Sequence, residues 1–84
     1  MENYVGIVGI IIHNRETAAP QVNEVLTRHG NLIAGRMGMP YHGKKMHVIT
    51  LIVDGKDSDI CRMTGELEAI KDVIIKTSTA KCNL

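Results

Sequence analysis

From Tyr4 to His13 the chain reads Y-V-G-I-V-G-I-I-I-H, apolar at nearly every position and rich in β-branched residues. Such a run, too short for a typical buried helix, predicts a first strand that is apolar on both faces. Asn14-Arg15-Glu16-Thr17 follows as a polar turn with capping character. Ala18, Val22, Val25, Leu26 and His29 then recur at helical spacing. Pro20 bears on where this helix starts. With Thr17 as N-cap the proline falls in the first turn, where its missing N–H costs little. A start at Asn14 would set it deeper and distort the helix. The regular helix is therefore expected from Thr17, closed by Gly30-Asn31.

Asn31 to Met39 predicts a second strand, with Ile33, Gly35, Met37 and Met39 on one face and Leu32, Ala34, Arg36 and Gly38 on the other. Two glycines and a charge within it point to an edge strand or a bulge. Pro40 to Lys45 reads as a hairpin loop, and Met46 to Val53 as a third, nearly continuous apolar strand. Asp54-Gly55-Lys56 is a turn, and Asp57 or Ser58 is the expected cap of a second helix striped by Ile60, Met63, Leu67 and Ile70. Gly65 interrupts that helix at about 1 kcal/mol relative to Ala, which suggests a close neighbour; Thr64 and Gly65 together read as a small pair serving packing. Lys71-Asp72 lead into a last strand, Val73 to Thr77, and a short polar tail, Ser78 to Leu84.

Strand, helix, strand, strand, helix, strand over residues 1–84 describes one α+β domain of ferredoxin-like βαββαβ topology. Two right-handed crossovers give a four-stranded antiparallel sheet with both helices on one face and the first and third strands in the centre. Nothing in the same chain covers the other face. Yet Val5, Ile7, Gly9 and Ile11 on one side of the first strand are no more polar than Gly6, Val8, Ile10 and Ile12 on the other. The third strand repeats this, with Val48, Thr50 and Ile52 against His47, Ile49, Leu51 and Val53. An exposed patch of that kind predicts a homo-oligomer, a dimer or a tetramer.

Composition narrows the function classes. Of 84 residues none is Phe or Trp and two are Tyr, so the core is aliphatic and small. Formal charge is +1, which leaves no basic stripe for direct nucleic-acid binding. Tyr4 is the one aromatic in the predicted strands, so the sheet is not expected to offer RNA bases a stacking surface. The longest apolar run is too short to span a bilayer and no export leader precedes it, so the expected location is the cytoplasm. There Cys61 and Cys82 are expected as thiols.

Candidate chemistry is sparse. No phosphate loop, paired cysteine motif or nucleophile–base pair can be read along the chain, so no enzyme and no cofactor is expected. Cys61, early in the second helix, has no histidine near it in sequence. Four histidines, His13, His29, His42 and His47, show no local ligand spacing. A metal site shared between subunits through His29 and His47 is the alternative reading, that of a metal-binding sensor or carrier. Met37, Met39, Met46 and Met63 fill a core poor in aromatics. Arg36, a charge in an apolar strand, suits an anionic partner.

Four segments carry a family resemblance: Q-V-N-E-V-L (Gln21 to Leu26), N-L-I-A-G-R-M-G-M-P (Asn31 to Pro40), V-I-T-L-I-V-D-G (Val48 to Gly55) and M-T-G-E-L-E-A-I-K-D-V-I-I-K-T (Met63 to Thr77). The chain resembles the small iron-only ([FeFe]) hydrogenase system regulators. That resemblance implies an ACT-like domain, similar to the C-terminal sensing domain of nickel-responsive repressors, which assembles into dimers or tetramers. It implies a small-molecule effector near the turn after the first strand, on His13, Asn14, Arg15 and Glu16, with Arg36. Where the repressors carry nickel ligands this chain has Met39 and Tyr41, with His47 near the position of their cysteine, so their site is not reproduced. Only Met1, Glu2 and Asn3 precede the first strand, which leaves no DNA-reading head; a regulatory role is expected to run through a partner regulator or a hydrogenase maturation protein.

Overall fold

The computed structural model describes residues 3–41 and 45–82. In order along the chain come β1 (Tyr4–Ile12), α1 (Arg15–Arg28), β2 (Ile33–Tyr41), β3 (Met46–Gly55), α2 (Asp57–Glu68) and β4 (Val73–Lys81). A single 3-10 turn, Gly30–Leu32, joins α1 to β2. The sheet has the order β2-β3-β1-β4 with every pairing antiparallel. This is the ferredoxin-like βαββαβ arrangement, its two most apolar strands in the centre.

The core lies between the sheet and the helices. Val8, Ile10 and Ile12 of β1 and Ile49, Leu51 and Val53 of β3 meet Ala18, Val22, Val25 and Leu26 of α1 and Ile60, Met63 and Leu67 of α2, all buried. Each strand contributes every second residue, as the pleat requires.

Local chemistry moved several boundaries. α1 starts at Arg15, not near Thr17, because Asn14 takes a left-handed conformation (φ 54°) and its carbonyl accepts from the N–H groups of Thr17 and Ala18. Pro20 thus sits inside the helix, where it removes the bond that its N–H would have made to the Glu16 carbonyl. Both residues are exposed, so water can satisfy that carbonyl. α2 is preceded by Lys56, and Asp57 and Asp59 fall in its first turn, where the helix dipole favours negative charge.

β2 is an edge strand, and its register shifts between Ile33 and Gly35. The bulge parts Ile33 from its expected companions. Ile33 pairs with Val53 and packs against the core, while Gly35, Met37 and Met39 turn to the opposite face. β4 runs on to Lys81, so Ser78 to Lys81 is strand rather than tail. It pairs with Tyr4 to Ile7 of β1, supplying the hydrogen bonds that a central strand needs on its second edge. His42 lies outside the described residues.

Candidate functional site

The turn after β1 is held by backbone bonds to two neighbours. The His13 N–H donates to the Asp72 carbonyl at 2.8 Å, and the Arg15 N–H donates to the Lys45 carbonyl at 3.2 Å. These bonds fix the start of α1 between the β2–β3 hairpin and the entry to β4. The side chains of His13 and Asn14 are exposed and that of Arg15 is half-buried. None of the three makes a side-chain hydrogen bond among the described residues.

Arg36 is placed elsewhere. Its Nη2 donates to Asn23 Oδ1 at 2.8 Å, tying edge strand β2 to α1. Asn23 is eight residues beyond Arg15, about 12 Å along the helix axis. Within one chain Arg36 and the His13–Arg15 turn are therefore neighbouring features of the α1 surface rather than one cluster.

His29 and His47 are at opposite ends of the fold. His29 caps the C-terminus of α1, next to the beginning of β2, whereas His47 pairs with Ile12 at the end of β1, beside the start of α1. The length of α1 separates them, roughly 20 Å at 1.5 Å per residue. His47 packs over Gly38, where an added Cβ would come within 2.9 Å of Nε2. No three potential ligands of the His, Cys, Asp and Glu types converge among the described residues.

A charged cluster joins the two helices. Arg28 Nη1 donates to Glu66 Oε1 at 2.6 Å, and His29 Nε2 lies 3.2 Å from Glu66 Oε2. The hydrogen bond from His29, reinforced by Arg28, holds the Glu66 carboxyl below the usual carboxylate value. Beside this cluster Arg62 and Asp59 lie 3.9 Å apart on α2. Sequence spacing gave no sign of it, since Arg28 and Glu66 are 38 positions apart. Its charges balance, which suits a clasp between helices better than an anion site.

The largest coherent feature is the helix-free face of the sheet. Among the described residues Val5, Ile7, Met37, Met39, Tyr41, Ile52 and Ile74 are the large hydrophobics left exposed, and register places all of them on this face. Met37, expected to fill the core with Met39, Met46 and Met63, is the most exposed of them at 68%, and of those four methionines only Met63 is buried. Across the strands the rows read Met39–Val48–Ile11–Ile74, Met37–Thr50–Gly9–Lys76 and Gly35–Ile52–Ile7–Ser78. A shallow depression of about 300 Å³ lies at the β1–β4 side, lined by Ile7, Gly9, Lys76, Thr77 and Ser78.

An antiparallel βαββαβ sheet with both helices on one side is the ferredoxin-like fold, which ACT and PII-like domains share. Residues 4–77 match the model of the TM1266-like family, described as "Iron-only hydrogenase system regulator, putative", and the chain belongs to that family. The uncharacterized protein TM1266 of Thermotoga maritima is 32% identical, with 93% of this chain and 98% of that one covered and a TM-score of 0.88. The ACT domain of GTP pyrophosphokinase from Chlorobium tepidum shares the fold at 11% identity, covering 95% and 99% of the two chains, with a TM-score of 0.70. CPII, a nitrogen regulatory PII-like protein of Thiomonas intermedia K12 bound to ADP, AMP and bicarbonate, shares it at 12% identity, 96% and 92% coverage and a TM-score of 0.54. No curated protein matches the chain.

Proposed function

We propose that this protein is a non-catalytic, ligand-sensing module of an iron-only hydrogenase system, working in the cytoplasm as a homo-oligomer of one-domain subunits. The observation that carries this reading is the helix-free face, where the exposed large hydrophobics of the described residues gather. A soluble chain gains by covering such a face, and a second copy does so symmetrically. Those seven side chains alone expose on the order of 600 Å², near the ~800 Å² per partner of a standard interface. Among the described residues no helix is long and apolar enough to cross a membrane, so lipid-spanning helices do not account for the patch.

The effector is a small anion. Arg15 is the first candidate to hold it, beside His13 and Asn14, whose side chains make no hydrogen bond among the described residues, and Arg36, farther along the α1 surface, is a separate second candidate. The shared fold of CPII, which holds two nucleotides and bicarbonate, supports that class. The module transmits the signal by contact with a partner regulator or a hydrogenase maturation protein.

Thermal unfolding with bicarbonate, AMP or ADP as probe tests the ligand reading. Ligand at a hundred times its Kd stabilises the folded state by about 2.7 kcal/mol, and Arg15→Ala or Arg36→Ala should remove most of the gain. If no probe shifts the midpoint, or both variants respond like the parent protein, the anionic effector site is wrong.

A further inference from the structure

Five glycines lie within the strands or at their ends, and they divide into two kinds. Gly6, Gly38 and Gly55 are demanded by this chain's own packing. An added Cβ would come within 2.7 Å of Thr79 Cγ2, 2.9 Å of His47 Nε2 and 2.6 Å of Leu32 Cδ2 respectively. Gly9 and Gly35 are different. A Cβ at Gly35 would meet only the Ile52 side chain, and one at Gly9, in a central strand, only the Lys76 carbonyl, each at an ordinary 3.8 Å. Glycine inside a strand forfeits roughly 0.5–1 kcal/mol relative to alanine, and nothing within the chain offsets that at position 9. Its vacancy forms the floor of the depression on the open face.

The face is thus uneven. It stands high along β2, where Met37 and Met39 project, and low between β1 and β4, around Gly9 and Ser78. Charge is confined to its margins, with Lys76 on edge strand β4 and Asp54 near the end of β3, so no like charges are forced together at its centre. Rotation about a two-fold axis along the strands exchanges left and right across the sheet while keeping the level along each strand. β2 of one copy then crosses β4 of the other, and Met37 comes down beside Gly9 and Lys76, which share its row. A two-fold axis across the strands would instead stack methionine on methionine and leave the depression empty, forfeiting contacts that packed interfaces make.

We infer that a second copy of this chain packs open face to open face about an axis along the strands, with each Met37 side chain seated in the Gly9 depression of the other copy. This rests on the homo-oligomer reading above and adds the orientation and the interlocking pair. Facing sheets cross at about 30°, which displaces the paired rows by about one residue and stays within reach of a methionine.

Sedimentation equilibrium on the full chain, with Gly9→Leu, Met37→Ala and the double variant, tests it. Circular dichroism of dilute samples confirms that each variant is folded, and Gly9→Ala serves as the milder filling if Gly9→Leu is not. Met37→Ala should weaken association about a hundredfold, since two methionines are lost per dimer at ~1.5 kcal/mol or more each. Gly9→Leu should weaken it at least about tenfold by blocking the seat. In the double variant the leucine fills the space that methionine has left, so affinity should recover above the product of the two losses. Additive losses in a protein that still self-associates would overturn the interlock and leave the oligomer standing. A parent protein that sediments as a monomer would overturn both.

Discussion

The two faces of β1 are built from nearly the same residues and do opposite work. Toward the helices, Val8, Ile10 and Ile12 are fully buried, and Gly6 is hemmed in by Thr79 and Val53. Away from them, Val5 and Ile7 are 41% and 54% exposed, and Gly9 has open space above it. The difference teaches that an apolar strand residue stabilises this chain only where a helix meets it. On the other side the same kind of side chain stays exposed and adds little to the fold of one chain. Hydrophobic burial follows the area removed from water rather than the residue type.

Substitutions on the two faces should separate these roles, and the largest effect belongs to the covered face. Ile10→Ala should cost about 2–5 kcal/mol of folding stability in urea titrations, a large part of what so small a domain has. Ile7→Ala, three residues back along β1 on the open face, should stay within ~0.5 kcal/mol for dilute, unassociated chains; equal costs at the two positions would erase the distinction. Next come the glycines. Gly6→Ala should lower stability by about 1–3 kcal/mol, because backbone and side-chain atoms already crowd the site, whereas Gly9→Ala should leave it unchanged or raise it by up to ~1 kcal/mol.

The helix clasp contributes less, and its signature is a pH dependence. The folded-state carboxyl of Glu66 is held below its usual value near 4.5, chiefly by His29. Its contribution is therefore complete above that value and disappears as the pH falls through the lower, folded-state value. Comparing stabilities between pH 6 and pH 3, Glu66→Gln should flatten this component of the acid dependence. An unaltered slope would show that the contact is idle in solution. Smallest of all should be the effect of metal. Equilibration with zinc or nickel should give no stoichiometric ion that depends on His29 or His47; an ion lost with His29→Ala or His47→Ala would instead make the protein a metal-binding sensor or carrier.

Periodicity made most of the fold legible. The short apolar runs of β1 and β3 and the 3.6-residue stripes at Val22, Val25 and Leu26 and at Ile60, Met63 and Leu67 answer to burial, and the structure buries the stripes and every second residue from Val8 to Ile12 and from Ile49 to Val53. Where burial does not act, the pattern was silent. Ser78 to Lys81 carries no apolar rhythm on its exposed edge, and it is strand because Tyr4 to Ile7 needs backbone partners. The α1 boundary turned on a left-handed Asn14, a backbone choice that outweighed the cost of an internal Pro20. Gly65 was expected to mark a close approach, and no atom beyond its own helix turn lies near an added Cβ. Of the candidate site residues, Arg15 and Arg36 stood out as charges, but their separation along α1 and the bond from Arg36 to Asn23 emerge only from the folded chain.

By itself the sequence determined the topology, the aliphatic core, and the presence of a sheet with no polar face, because each follows from the order and period of apolar residues. Tertiary structure decided which vacancies are filled. It closes Gly6, Gly38 and Gly55 with side chains from distant positions, leaves Gly9 open, and turns Met37 outward beyond the bulge at Ile33 and Gly35. A glycine in a sequence states only that a side chain is missing. What occupies the space depends on long-range register, which brings Thr79 over Gly6 and no side chain over Gly9.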